Sequence, residues 1–134
     1  MMRIKRLQHV SIGIEAGRED EARRFYGEAL GLREKRRPMG LKDRALIWYD
    51  IGEDEHEIHL IRTEPAMYGA PRAGDHLCIE VDDIAAMREH LNTMDVPITE
   101  TSVIGNRPRF FIEDPFGNSI ELVQVTGHFT PVDE

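Results

Sequence analysis

Four short apolar runs constrain this fold more than any other feature of the chain: QHVSIGI (8–14), EIHLI (57–61), DHLCIEV (75–81) and NSIELVQV (118–125). Side chains on a strand alternate between the two faces of its sheet. In each run the apolar residues keep one phase: Val10, Ile12 and Ile14; Ile58 and Leu60; Leu77, Ile79 and Val81; Ile120 and Leu122. His9, His59, His76 and Glu121 hold the other phase. A half-buried strand packs its apolar side, so each of these four residues projects from the side that is not packed. Imidazoles and a carboxylate carried on four rigid strands suit a divalent first-row metal.

The spacing points to a doubled unit. His9 starts a strand, a helix follows, then short strands, and the copy ends at His59; His76 opens the same series and Glu121 closes it. The separations, 50 residues (9 to 59) and 45 residues (76 to 121), are similar. Each copy offers one ligand-type group at its start and one at its end. Two copies related by an approximate two-fold axis bring all four together.

Between these runs the local signals are orderly. Asp20 is a candidate helix cap, and Ala22, Phe25, Tyr26, Ala29 and Leu30 recur at helical spacing until Gly31. Residues 32–36 and ALIWYDI (45–51) read as strands, with RPMGLKD (37–43) a loop between them. Residues 63–75 hold two prolines and two glycines and form a connector. Asp83 is placed to cap a helix whose stripe is Ile84, Met87, Leu91 and Met94, read as core. Pro97 breaks the chain before a short strand at 98–103. Residues 109–113 and 119–125 pair as a hairpin around Asp114-Pro115-Phe116-Gly117-Asn118. The tail after 126 has no packing pattern.

Composition excludes several classes. A chain of 134 residues with 40% apolar content fits one compact domain with a real core. The net charge of −8 disfavours nonspecific nucleic-acid binding. The basic cluster Arg33, Lys35, Arg36 and Arg37 reads as a solvated face. A single cysteine, Cys78, forms no intramolecular disulfide and is read as a small buried thiol in a reducing compartment. No apolar run approaches a membrane span and the N-terminus lacks a signal-peptide core, so a cytoplasmic location is expected.

At RFFIEDPFGNSIELVQ (109–124), LQHVSIGI followed by EARRFYGEALGL, and DHLCIEVDDIAAMREHL, the chain resembles the vicinal oxygen chelate superfamily: glyoxalase I, extradiol dioxygenases, and fosfomycin- and bleomycin-resistance proteins. The resemblance spans about residues 5–125. It implies an α+β fold of two βαβββ modules forming a curved mixed β-sheet around an open cleft, with the helices on the outer face. Module one is then about 5–62, the linker 63–75 and module two about 76–125, all in a single domain over 1–134. The family's metal positions carry over onto His9, His76 and Glu121, with His59 at the fourth. Glyoxalase I itself has Glu or Gln there, so His59 is a departure. The resemblance also implies a small-molecule substrate and a homodimer, in which the ligands come from one chain or from two.

The chemistry follows from the donor set. A divalent ion (Zn, Ni, Mn or Fe) with open positions holds two neighbouring oxygens of one substrate and stabilises charge between them. His59 is either a fourth ligand or the proton-transfer group, and Glu57 on the same face is a substitute acid or base. Arg109, Trp48 and Phe111 are the candidate substrate contacts: the arginine for an anionic group, the aromatics for stacking. His56, His90 and His128 lie outside the repeated pattern and have no assigned role. Three functions compete: a glyoxalase-like lyase or isomerase, an extradiol dioxygenase, and a non-catalytic drug-binding protein.

Overall fold

A computed structural model describes residues 1–36, 45–63 and 74–128. The expected loop at 37–43 and most of the connector at 63–75 lie outside the described residues. The chain divides into two compact units, Met1–Ala70 and Pro71–Glu134.

The first unit runs β1 (His9–Glu15), a helix α1 (Glu19–Arg23) that continues as a π-helical segment (Arg24–Ala29), β2 (Arg33–Lys35), β3 (Ala45–Asp50) and β4 (Glu57–Thr63). Its sheet has the order β1-β4-β3-β2, with β1 and β4 parallel and the other pairs antiparallel. The apolar phase is the buried one: Ile12, Ile14, Ile47, Tyr49, Ile58 and Leu60 are all 6% exposed or less. Ala22, Phe25, Tyr26, Ala29 and Leu30, the stripe read from the sequence, are buried as well. Tyr26 meets Tyr49 of the sheet at 6.1 Å between ring centroids. The helix starts one residue before the expected cap: Arg18 stands at the cap position and its side chain caps nothing. Three acidic residues, Glu19, Asp20 and Glu21, face the positive end of the helix dipole instead. Gly31, at φ 74°, ends the helix in the left-handed conformation glycine adopts without strain.

The second unit repeats the plan: β5 (Leu77–Glu80), α2 (Ile84–Thr93), β6 (Arg109–Glu113) and β7 (Ser119–Val123). Its sheet order is β5-β7-β6, again with the first pair parallel and the second antiparallel. Asp83 caps α2 as expected, accepting from the Ala86 N–H at 2.9 Å. Of the α2 stripe, Leu91 is fully buried, whereas Ile84, Met87 and Met94 are half-buried. The strand expected at 98–103 shrinks to one bridge between Thr99 and Phe111. Pro97 has no N–H to pair, and the Ser102 carbonyl accepts from the Arg109 guanidinium rather than from a neighbouring strand. The Asp114–Asn118 turn forms as the sequence indicated. Asp114 is buried and accepts from Phe116 N (2.9 Å), Asn118 N (2.8 Å) and Asn118 Nδ2 (2.7 Å), while Gly117 supplies a φ of 91°. The two-module α+β class read from the sequence is therefore the class observed. No helix among the described residues is long and apolar enough to cross a membrane.

Candidate metal and substrate site

Strand alternation carries Glu57 and His59 onto the same face of β4, opposite the core. Pairing then decides their neighbours. His59 lies opposite Ser11 on β1 and Trp48 on β3, and Glu57 lies opposite His9. The His59 ring is sandwiched: His9 stacks on one side (centroids 4.1 Å apart, planes 21° apart) and the Trp48 rings on the other (3.6 Å, 14°). His59 Nε2 donates to Glu57 Oε1 at 2.9 Å. Lys35 binds the second Glu57 oxygen, and Gln8 Nε2 reaches Oε1 at 3.2 Å. Glu57 and His59 are both buried. Burial pushes the Glu57 carboxyl up, but the hydrogen bonds from Lys35, His59 and Gln8 outweigh it and hold the group at about 2.

His9 is oriented from its other side. The Gln8 amide nitrogen is committed to the Glu55 carbonyl (2.6 Å) and to Glu57, which leaves Gln8 Oε1 facing His9 Nδ1 at 2.6 Å. An amide oxygen only accepts, so His9 Nδ1 is the donor and Nε2 is the nitrogen left for a ligand.

In the second unit, Glu121 occupies on β7 the place that His59 has on β4, opposite Cys78 of β5 and Phe111 of β6. His76 Nδ1 donates to the Gly74 carbonyl at 2.8 Å, and its Nε2 stands 3.1 Å from Glu121 Oε2. Arg109 Nη1 holds the other carboxylate oxygen, Oε1, at 2.7 Å, while its Nη2 donates to the Ser102 carbonyl and hydroxyl. The His76 and Phe111 rings meet edge to face, with centroids 4.9 Å apart and planes at 75°. Desolvation raises the Glu121 carboxyl, yet hydrogen bonds from Arg109, Cys78 and His76 bring it below the ordinary range. The Cys78 thiol is pushed up to about 12 by desolvation of the sulfur and by its bond to Glu121. Cys78 is exposed, not the buried thiol expected, but it is no thiolate nucleophile at neutral pH.

The residues singled out from the sequence thus come together in pairs: His9 with His59, and His76 with Glu121. Among the described residues no group of three or more His, Cys, Asp or Glu side chains is arranged to hold a metal. The donor chemistry nevertheless fits. Two cis ligands with bonds of about 2.1 Å lie roughly 3 Å apart, a spacing matched by His76 Nε2 and Glu121 Oε2. Both His9 and His76 present Nε2 through a fixed contact at Nδ1, the usual outer support of a metal-bound histidine. Of the aromatic pairs, Tyr49 and Phe110 went to the core, while Trp48 and Phe111 face the ligand-type residues. Arg109, expected at an anionic substrate, is spent on Glu121 and Ser102. Sequence reasoning missed Gln8 and Lys35. Lys35 stands opposite Trp48 on the next strand, and only the sheet register reveals that.

The sequence profile of the Glyoxalase/Bleomycin resistance protein/Dioxygenase superfamily matches residues 6–122. The chain belongs to that superfamily. Solved structures agree. A glyoxalase family protein from Bacillus anthracis is 30% identical, with a TM-score of 0.82 over 93% of this chain and 98% of the other. The trypanothione-dependent glyoxalase I of Leishmania major is 26% identical (TM-score 0.68, 90% and 87% covered). TnmS3, an antibiotic-binding protein from Streptomyces sp. CB03234, shares the fold at 22% identity (TM-score 0.73, 93% and 99% covered). No curated protein matches the chain in sequence.

Proposed function

We propose that this superfamily member is a divalent-metal-dependent enzyme acting on a small molecule with two neighbouring oxygens, with lyase or isomerase chemistry of the glyoxalase kind. The observation that carries the reading is the His76–Glu121 pair: an imidazole nitrogen and a carboxylate oxygen 3.1 Å apart, each steadied from behind, by Gly74 and by Arg109. The proposed ligands are His9, His76 and Glu121, with His59 beside His9 as a fourth donor or as the proton-transfer group. A bound divalent ion (Zn, Ni, Mn or Fe) supplies Lewis-acid stabilisation of negative charge on substrate oxygens. The chain's own part is to orient those donors and to exclude water. Trp48 and Phe111 offer aromatic surface to a substrate, and Trp48 Nε1 is buried without a partner among the described residues. The same two-His-one-carboxylate set also serves extradiol ring cleavage, for which a catechol and oxygen uptake are the diagnostic pair.

A second reading, sequestration of a drug without a metal, is favoured by one observation. Both buried glutamates are already paired with a cation of the chain itself, Glu121 with Arg109 and Glu57 with Lys35. Metal analysis of protein purified without chelator separates the two readings. A stoichiometric divalent ion, and turnover of α-hydroxycarbonyl thiol adducts or catechols that stops when the ion is removed, is the expected result. Metal-free protein that binds a bulky drug tightly and turns nothing over replaces the first reading with the second. We further propose a homodimer, since sheets with open edges invite pairing; a solution mass that stays monomeric at every concentration contradicts it.

A further inference from the structure

We propose that Glu57 is a positioning residue that fixes His59 with Nδ1 as its free nitrogen, so that His59 moves a proton and does not bind the metal. The proposal rests on the metal-enzyme reading above and assigns the two roles which that reading leaves open.

The argument starts from what a carboxylate can do. An ionised carboxylate accepts hydrogen bonds and donates none. His59 Nε2, 2.9 Å from Glu57 Oε1, must therefore carry the proton of that bond. Glu57 cannot turn away, because Lys35 holds Oε2 and Gln8 holds Oε1 from a second direction. Nor can the imidazole flip. Its two faces are covered by His9 and by Trp48, so the ring has to force these neighbours apart to turn over, and the flipped ring loses the bond from Nε2 to Glu57. The neutral ring then has its lone pair on Nδ1, which has no hydrogen-bond partner among the described residues. A carboxylate behind one nitrogen and a free lone pair on the other is the arrangement that makes histidine a directed general base. Glu57 itself is a poor base: three donors, Lys35, His59 and Gln8, already occupy its oxygens.

The stack also argues against a ligand role. A metal lies in the plane of each imidazole that binds it, about 2.0–2.1 Å from the nitrogen. The His9 and His59 planes are stacked 4.1 Å apart at the centroids and tilt by only 21°, so they remain apart over the length of such a bond. In this arrangement one ion cannot take an in-plane lone pair from both rings. His9, with Nε2 free, is the ligand of the two; His59 forms the wall behind it.

Two measurements on the full chain test this. In metal-free protein labelled with ¹⁵N at histidine, long-range proton–nitrogen correlation should show His59 protonated on Nε2 and bare on Nδ1. In Glu57→Ala that signature should give way to a mixture of tautomers. His59 protonated on Nδ1 in the wild type, or unchanged in Glu57→Ala, overturns the proposal. In a Zn²⁺ titration, His59→Phe, which preserves the stack, and His59→Gln should each bind within about twofold of wild type. A loss of tenfold or more in both makes His59 a ligand and overturns it as well. Failure of the metal reading is distinguishable: the wild type then binds no Zn²⁺, His76→Ala changes nothing, and the tautomer result still decides the part played by Glu57.

Discussion

Across the first sheet, Ser11, His59, Trp48 and Lys35 lie side by side on β1, β4, β3 and β2; across the second, Cys78, Glu121, Phe111 and Thr99 occupy the same row. His9 and His76 each stand two residues before the start of their row, on its face. The backbone plan is shared, but the middle of the row differs. The first unit places an imidazole there and borrows a carboxylate, Glu57, from its own strand; the second places a carboxylate there and borrows a guanidinium, Arg109, from the neighbouring strand. Each unit so pairs one acid with one base by a different route. The doubled architecture conserves positions on a sheet, and the side chains at those positions divide the work.

The supports differ too. In the second unit a buried Asp114 ties the β6–β7 turn and Asp83 caps the helix, both through side-chain hydrogen bonds. In the first unit the helix has no side-chain cap, and the β3–β4 turn forces Asp54 and Glu55 to φ values of 63° and 55°. Left-handed non-glycine residues are not confined to the first unit: Asp95 and Asn106 in the second take φ values of 57° and 62°.

The largest effect expected from this comparison concerns metal binding. His76→Ala and Glu121→Ala remove two of the proposed ligands, and each should lower Zn²⁺ affinity by more than the roughly 10–100-fold that an outer contact costs. Titration of purified protein reads this directly, with circular dichroism to show that the fold persists; unchanged affinity in both variants refutes the ligand set. Next comes Asp114→Ala, which leaves three N–H donors of the β6–β7 turn without their acceptor and should cost on the order of 2–4 kcal/mol in denaturant unfolding. A cost under about 1 kcal/mol would show that the turn does not depend on it.

Acid sharpens the contrast between the two carboxylates. Glu57 is held at about 2, below the ordinary 4.5, so its contribution to stability is complete above the ordinary value and fades as pH falls through it towards 2. Glu121 is lowered as well, with the same sign. The thermal midpoint of metal-free protein should therefore fall as pH drops from 5 to about 2, and Glu57→Gln should flatten that slope. A slope identical in wild type and variant would remove Glu57 from the account. The smallest effect is expected at Asp54→Gly, where glycine relieves the left-handed backbone: a gain of less than about 1 kcal/mol. A loss of stability there would mean that the Asp54 side chain, not only its backbone, holds the turn.

What the sequence determined by itself was periodic and local. The two phases of each strand, the helix stripe at Ala22, Phe25, Tyr26 and Ala29, the Asp83 cap and the Asp-Pro-Phe-Gly-Asn turn follow from side-chain alternation, helical spacing and turn chemistry, all of which act within a few residues. The same alternation put His9, His59, His76 and Glu121 out of phase with the apolar core residues of their strands. Tertiary structure decided who stands next to them. Lys35 on Glu57 and Arg109 on Glu121 are contacts across strands, 22 and 12 residues apart in sequence, and Gln8, the neighbour of His9 in sequence, is itself held by Glu55 and Glu57, 47 and 49 residues away. They depend on sheet register, and register is set by the packing of the opposite, apolar face rather than by anything local to the polar residues. The strand read at 98–103 is reduced to the Thr99–Phe111 bridge, and the Ser102 carbonyl accepts from the Arg109 guanidinium.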